Sequence, residues 1–193
     1  MYTDPNDKLR PSVTVPALRS RKHNGEKITA LTCYDASFAA ALERAELDIA
    51  LVGDSLGMVV QGQDSTLPVT LEQMVYHCKA VARGLRTPLL IADMPFMSYR
   101  DVPVAMDSAT RLLAEGGAAM VKVEGAGWVV DVIKALAERD VPVCAHLGLT
   151  PQSVHKLGGY RVQGKLEAQA QQLLEDAHAV SNAGADLLVL ECV

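Results

Sequence analysis

The sequence predicts an α/β fold in which one parallel sheet is covered by helices, and two observations carry this prediction. Six short apolar runs lack the alternation of polar and apolar residues, as expected of strands buried on both faces. The segments between these runs carry apolar residues at helical spacing. Strands and helices that alternate along a chain form parallel sheets, because each helix returns the chain to the same end of the sheet.

The elements follow one another at regular spacing. The polar first 27 residues are predicted to be a loose N-terminal arm that leads into a short helix, and residues 28–193 to form the barrel domain. The predicted strands are ITALTCYD (28–35), DIALVGDS (48–55), PLLIADMP (88–95), AMVKVEG (119–125), VPVCAHLG (141–148) and DLLVLECV (186–193). The main predicted helices are SFAAALERAE (37–46), LEQMVYHCKAVARG (71–84), PVAMDSATRLLAEGG (103–117), GWVVDVIKALAERD (127–140) and EAQAQQLLEDAHAVSNAG (167–184). Gly117 and Gly184 suit the ends of two of these helices.

Repeated strand-helix units favour a (β/α)₈ TIM barrel over a doubly wound sheet. The joints between helix and strand resemble one another, as in EGGAAMVKVEG and NAGADLLVLEC. No G-x-G-x-x-G motif follows any strand, which weakens the dinucleotide-binding alternative. A closed barrel needs eight strands. Six units are visible, so we expect the C-terminal part, after strand 6, to be missing from this chain or supplied by a second polypeptide.

Composition narrows the class of partner. Hydrophobic residues make up 49% of the 193 residues and charged residues 21%, as in ordinary globular domains. A net charge of -5 and only 4% aromatic residues argue against nucleic acid and anionic membranes as partners. No apolar run approaches the length of a membrane span. Four scattered cysteines without a CxxC pair fit reduced thiols, so we expect a cytoplasmic protein that acts on small molecules.

Four predicted strands end in an acid: Asp54, Asp93, Glu124 and Glu191. A single acid after a strand is ordinarily a helix N-cap, and Asp35 is expected to cap the helix that follows it. Several acids at the carboxyl ends of parallel strands are different, because these ends meet on one rim, where the sites of barrels lie. Carboxylates gathered there repel one another unless a cation lies between them, and Mg²⁺ prefers such oxygen ligands.

Two further side chains point to the same rim. Lys122 lies two residues before Glu124 and therefore on the same face of the strand, where it adds a positive charge. His146 also ends a strand. A lone histidine there is ordinarily a hydrogen-bonded core residue, so it ranks below the carboxylates as a substrate contact.

Longer stretches carry a resemblance to a known family. They are LTCYDASFA, LVGDSLGMVVQGQDSTLPVT, ADMPFMSY, MVKVEG, VPVCAHLGLTPQSV, LGGYRVQG and LLVLECV, in the family's order and spacing from about Ile28 to Val193. The chain closely resembles the ketopantoate hydroxymethyltransferase (3-methyl-2-oxobutanoate hydroxymethyltransferase) family. This resemblance implies a TIM barrel of the phosphoenolpyruvate/pyruvate type.

The resemblance also implies roles for the strand-end residues. Asp54, Asp93 and Glu124 match the family's Mg²⁺ ligands. Ser55 and Lys122, together with the two aspartates, match the positions that hold the 2-oxo acid. Glu191 matches the proton acceptor, and we expect it to lie in a pocket of low dielectric that suits a general base.

The implied reaction is the transfer of a hydroxymethyl group from 5,10-methylenetetrahydrofolate to C3 of 3-methyl-2-oxobutanoate, with Mg²⁺ as cofactor and 2-dehydropantoate as product. By the same resemblance we expect a homo-oligomer, a decamer in bacteria. Two alternatives remain open: a related carbon–carbon lyase or mutase of the same barrel superfamily, which would need no folate, and a catalytically silent truncated subunit.

Overall fold

The computed structural model describes residues 10–193, so the first nine residues of the predicted arm lie outside the described part. The strands are β1 Ala30–Thr32, β2 Ile49–Val52, β3 Leu89–Asp93, β4 Met120–Glu124, β5 Val143–Gly148 and β6 Leu187–Glu191. The helices are α1 Val15–His23, α2 Ala36–Arg44, α3 Leu56–Val59, α4 Leu71–Ala82, α5 Val102–Thr110, α6 Val129–Ala137, α7 Val154–Leu157 and α8 Glu167–Asn182. A π-helical turn, Arg111–Glu115, extends α5, and a 3₁₀ turn, Pro151–Ser153, precedes α7.

The strand order distinguishes between the two predicted architectures. Each strand pairs in parallel with the next one along the chain, so the sheet order is β1-β2-β3-β4-β5-β6. A doubly wound sheet would reverse its order part-way across. The uninterrupted order is that of a barrel wall, and the six strands form a curled half-barrel.

The two edges of the sheet differ from the prediction. Strands β2 to β5 are buried on both faces, as their continuous apolar runs predicted. All three residues of β1 are exposed, and in β6 the side chains of Leu188 and Leu190 are 40% and 51% exposed. The prediction of buried strands is therefore wrong for β1 and β6, because each pairs with only one neighbour in the described chain.

The predicted helix boundaries are confirmed by the local geometry. The side chain of Asp35 accepts a hydrogen bond from the backbone N–H of Phe38 and so caps α2. Gly117 and Gly184 have φ of +78° and +107°, a left-handed conformation that costs glycine little and ends a helix. Each of the five main predicted helices begins and ends within three residues of its predicted bounds, and in the helix 103–117 the second half is the π-helical turn.

The alternation of side chains along each strand divides the core into two parts. The outward side chains of β2 to β5 pack against the helices in one large cluster. The inward side chains Ile49, Leu89, Ile91, Met120 and Cys144 form a smaller cluster with Leu18 of α1, inside the curl. Four more side chains point to the same side of the sheet but lie nearer the carboxyl ends of the strands: Asp93, Lys122, Glu124 and His146. A dry apolar layer therefore lies beneath the rim.

The segment that precedes β1, residues 10–27, contacts the sheet at a few buried positions. Leu18 is only 2% exposed in the inner cluster, and Arg10 and Arg21 both pair with the buried carboxylate of Asp48. Residues 15–23 form the short helix that the sequence predicted, and these contacts hold the segment against the sheet. Among the described helices, none combines the length and the apolar character needed to cross a bilayer.

Candidate functional site

Three carboxylates meet at the carboxyl ends of neighbouring strands, as the sequence predicted. Asp93 and Glu124 are the last residues of β3 and β4, and Asp54 lies two residues after β2. Their exposures of 4%, 6% and 2% mark all three as buried. An isolated buried charge is costly, so each carboxylate needs a compensating partner.

Lys122 supplies a positive charge among them. It is the register partner of Asp93 across β3 and β4, and its Nζ lies 2.7 Å from Asp93 Oδ1. The same nitrogen is 3.7 Å from Glu124 Oε1. Burial alone would lower the pKa of Lys122, but the carboxylates of Asp93 and Glu124 outweigh it and hold that pKa above its usual value.

One oxygen of each carboxylate is bound by a protein donor. The backbone N–H of Asp54 donates to Asp93 Oδ2 at 3.1 Å. The amide of Gln152 donates to Asp54 Oδ2 at 2.8 Å, and the backbone N–H of Gln152 donates to Glu124 Oε2 at 3.0 Å. These bonds fix the orientation of all three groups.

The other oxygens of Asp54 and Glu124, Oδ1 and Oε1, receive no hydrogen bond within residues 10–193. The second oxygen of Asp93, Oδ1, lies 2.7 Å from the ammonium of Lys122. Carboxylate oxygens at this rim are therefore open to a further ligand.

Electrostatics in this cluster favour an additional cation. Burial and the carboxylates of Asp93 and Glu124 raise the pKa of Asp54 to about 8, although Lys122 and the Gln152 amide act in the opposite direction. Burial also acts to raise the pKa of Glu124, but His146 and Lys122 outweigh it and lower that pKa. Three carboxylates thus share one lysine, and the raised pKa of Asp54 reflects the excess of negative charge.

A divalent cation fits this donor set because it would offset this negative charge and bind the open oxygens. Within the described chain, however, no group of three or more His, Cys, Asp or Glu side chains is arranged to hold a metal ion. Mg²⁺ usually takes one or two carboxylates and completes its octahedron with water and substrate oxygens. The assignment of Asp54, Asp93 and Glu124 as metal ligands therefore stays a prediction.

Ser55 lies beside this cluster. Its hydroxyl is 2.8 Å from the hydroxyl of Tyr34, so one of the two donates to the other. Gly53 makes this turn possible, since a Cβ there would lie 2.8 Å from Ser55 Oγ and 3.3 Å from Asp93 Oδ2. The absence of a side chain at this position thus keeps the serine and the aspartate in place.

His146 lies between the carboxylate cluster and Glu191. Its Nδ1 is 3.5 Å from Glu124 Oε1, and its Nε2 is 3.4 Å from Glu191 Oε2. Neither nitrogen has a hydrogen-bond partner within residues 10–193, although the ring is only 2% exposed. The structure therefore brings His146 and Glu191 to the same rim, as predicted.

The surroundings of Glu191 differ from the prediction. Its side chain is 44% exposed, so the expected pocket of low dielectric is not formed by the described residues. The physical reason is its place on β6, which is an edge strand with a neighbour on one side only.

Two residues of the site were not recognised in the sequence. Gln152 binds Asp54 and Glu124, as described above, and the hydroxyl of Tyr99 donates to Gln152 Oε1 at 2.6 Å. The ring of Tyr99 also stacks on Trp128, with centroids 5.7 Å apart and an interplanar angle of 20°. The one signal for Gln152 was its place in TPQSVHKLGGYRVQGK, a long segment directly after a strand.

A family model described as ketopantoate hydroxymethyltransferase matches residues 12–193. Two relatives called 3-methyl-2-oxobutanoate hydroxymethyltransferase are similar over nearly the whole chain. The one from Nitrosococcus oceani is 57% identical over 94% of the chain, and the one from Alkalilimnicola ehrlichii is 54% identical over all of it. The chain spans 69% and 70% of the length of these two proteins.

Solved structures with the same fold are more distant in sequence. A phosphonopyruvate hydrolase, crystallised with oxalate and Mg²⁺, superposes with a TM-score of 0.70 at 17% identity over 92% of the chain. A 2,3-dimethylmalate lyase of the PEP mutase/isocitrate lyase superfamily superposes with a TM-score of 0.65 at 20% identity, also over 92%. The chain spans 62% and 63% of these two structures. At this level of identity the likeness concerns the fold.

Proposed function

The chain belongs to the ketopantoate hydroxymethyltransferase family, and we propose that it transfers a hydroxymethyl group from 5,10-methylenetetrahydrofolate to C3 of 3-methyl-2-oxobutanoate. The products are 2-dehydropantoate and tetrahydrofolate, and one water is consumed. The observation that carries the proposal is the cluster of three buried carboxylates around Lys122, in which Asp54 and Glu124 each keep one oxygen without a hydrogen bond from the described residues.

Asp54, Asp93 and Glu124 would hold Mg²⁺, directly or through water. When bound, Mg²⁺ supplies Lewis-acid stabilisation of the negative charge that develops on the keto oxygen. The three carboxylates are already oriented by the backbone of Asp54 and by Gln152, so little reorganisation is needed to receive a cation.

The 2-oxo acid would be held on the same rim by Asp54, Ser55, Asp93 and Lys122. The hydroxyl of Ser55, oriented by Tyr34, can donate to a substrate carboxylate. The ammonium of Lys122 stays charged because of its carboxylate neighbours, so it offsets the negative charge of the bound acid.

Glu191 would act as the general base. Its carboxylate takes the proton from C3, the C–H electron pair forms the C2–C3 double bond, and the keto oxygen becomes the enolate oxygen. Water hydrolyses methylenetetrahydrofolate to tetrahydrofolate and formaldehyde. C3 of the enolate adds to the carbonyl carbon of this formaldehyde, and the resulting alkoxide takes the proton back from Glu191, so the hydroxyl oxygen of the product comes from the water. His146 lies 3.4 Å from Glu191 and is placed to orient this carboxylate.

The first experiment isolates the enolisation step. Loss of the C3 proton of 3-methyl-2-oxobutanoate in D₂O is followed by NMR, with and without Mg²⁺ and in the absence of folate. Exchange that depends on Mg²⁺ is the expected result. A folded chain that catalyses no exchange would contradict the assignment of this rim as an active site.

Addition of methylenetetrahydrofolate then separates the transferase from a lyase or mutase of the same superfamily. The transferase forms 2-dehydropantoate only when folate is present, whereas carbon–carbon cleavage or rearrangement would proceed without it. The relatives that are more than 50% identical to this chain support the transferase.

We propose in addition that the protein is a cytoplasmic homo-oligomer, a decamer by family resemblance. Sedimentation velocity of the purified chain tests this assembly. A monomer at micromolar concentration would contradict it.

A further inference from the structure

Gln152 makes four hydrogen bonds within the candidate site while being only 8% exposed. Its Nε2 donates to Asp54 Oδ2 at 2.8 Å and to the carbonyl oxygen of Met94 at 3.0 Å. Its Oε1 accepts from the hydroxyl of Tyr99, and its backbone N–H donates to Glu124 Oε2. One residue thus contacts two of the three carboxylates.

The neighbours of the amide fix its orientation. The carbonyl oxygen of Met94 can only accept, so the NH₂ group must face it and Asp54. The hydroxyl of Tyr99 accepts from the backbone N–H of Glu124 at 3.3 Å and donates to the amide oxygen at 2.6 Å. A flipped amide would place its oxygen against the carbonyl oxygen of Met94 and leave that carbonyl without its donor, and a buried unpaired acceptor is costly.

The contacts run in a closed circuit. The backbone of Glu124 donates to Tyr99, Tyr99 donates to Gln152, and the backbone of Gln152 donates to the carboxylate of Glu124. The hydrogen bond from the Gln152 amide to the carbonyl oxygen of Met94 would by itself attach the 3₁₀ turn to the segment after β3. The two hydrogen bonds from Gln152 to the carboxylates of Asp54 and Glu124 are therefore not explained by attachment of the turn.

We propose that Gln152 is a positioning residue that occupies Asp54 Oδ2 and Glu124 Oε2 and so leaves one oxygen of each carboxylate for Mg²⁺. This inference rests on the proposed function. Without the side-chain amide of Gln152, the carboxylate of Asp54 could rotate and turn both oxygens toward Lys122. Supporting donors of this kind typically contribute a factor of about 10 to 100 to metal affinity.

The test compares Gln152→Met with Gln171→Met. Methionine fills a similar volume and removes the side-chain amide that binds Asp54, whereas the backbone N–H that binds Glu124 remains, so this variant tests the bond to Asp54. Gln171 is an exposed residue of α8 whose amide bonds only to Glu175 among the described residues. Binding of magnesium chloride in the presence of 3-methyl-2-oxobutanoate is measured by calorimetry. We expect Gln152→Met to weaken Mg²⁺ binding about 10- to 100-fold and Gln171→Met to leave it unchanged.

A second readout separates positioning from a general structural defect. At saturating Mg²⁺, the rate constant for exchange of the C3 proton should return to that of the unsubstituted chain, because Glu191 is not among the partners of Gln152. A rate constant that stays low at saturation would overturn the positioning role.

The remaining outcomes also decide the question. Equal Mg²⁺ affinity in Gln152→Met and in the unsubstituted chain would overturn the inference and leave the proposed function standing. No Mg²⁺ binding by the unsubstituted chain would overturn the proposed function itself, and the inference with it. If Gln152→Met does not fold, Tyr99→Phe decides instead. It removes only the hydroxyl that orients the amide, and we expect a weakening of several-fold, whereas unchanged affinity would overturn the inference.

Discussion

Asp93 and Lys122 are register partners on adjacent parallel strands, and their charged atoms lie 2.7 Å apart at a depth where both side chains are only 5% exposed. The pair lies above the inner apolar cluster, so neither charge can be solvated by water from below. Such a pair is maintained only while both partners are present, because a single buried charge without its partner is strongly unfavourable.

Replacement of Lys122 by Met should therefore destabilise the fold. The variant leaves three buried carboxylates without their cation, and loss of one partner of a buried pair typically costs about 3 to 5 kcal/mol. Urea denaturation measures the change in free energy of unfolding. Lys134→Met is the control, since Lys134 is 65% exposed, and it should change stability by less than about 0.5 kcal/mol. Equal stability of the two variants would argue against the buried pair.

Asp93→Asn should abolish the dependence of keto-acid binding on Mg²⁺. Asparagine keeps the shape of aspartate and can still accept from the backbone of Asp54, but it removes the negative charge that attracts a cation. Calorimetric titration of 3-methyl-2-oxobutanoate with and without Mg²⁺ measures the effect. Asp107→Asn, on the exposed face of α5, should behave like the unsubstituted chain. Unchanged Mg²⁺ dependence in Asp93→Asn would remove Asp93 from the ligand set.

Glu191→Gln should bind Mg²⁺ and keto acid normally and lose proton exchange at C3. General-base catalysis is typically worth about 10² to 10⁴ in rate, so the exchange rate should fall by at least the lower figure. NMR in D₂O provides the rate, and calorimetry provides the affinities. Substantial residual exchange at normal affinity would assign the base to another group.

Asp48 should stabilise the protein in a pH-dependent manner. Burial alone would raise its pKa, but hydrogen bonds from the backbone of Thr29 and from Arg21 and Arg10 outweigh it and hold that pKa well below its usual value. A carboxyl with a depressed folded-state pKa contributes fully above its unfolded pKa of about 4, and the contribution declines as the pH falls toward the folded value.

The corresponding variant is Asp48→Asn, which should lose about 2 kcal/mol of unfolding free energy at pH 7. The difference from the unsubstituted chain should shrink as the pH is lowered from 4 to 3. Urea denaturation across this range provides the measurement. A difference that stays constant with pH would show that Asp48 contributes by its shape and not by its charge.

Much of this molecule could be predicted from local pattern. The six strands, the cap at Asp35 and the acids at the strand ends each depend on residues close in the chain, and parallel strands place their carboxyl ends together without further information. The exposure of β1 and β6 could not be predicted in this way. An apolar run indicates a strand, but its neighbours in the sheet decide whether it is buried.

Gln152 and Tyr99 illustrate the second limit. Gln152 contacts a carboxylate 98 residues earlier in the chain, and its bond to Tyr99 spans 53 residues. Both residues lie outside the helices and strands with regular periodicity, in a 3₁₀ turn and in the segment before α5. Periodicity provides no register for such segments, so only the folded chain reveals that they meet.

The stacking of Trp128 on Tyr99 has a practical consequence. Trp128 is the single tryptophan of the sequence, and the hydroxyl of its partner ring touches both Gln152 and the backbone of Glu124. Selective excitation of indole therefore addresses one chromophore, which lies two side chains away from the carboxylates. Its emission reports whatever displaces that tyrosine ring, so the chain carries an intrinsic optical probe of its own rim and needs no label.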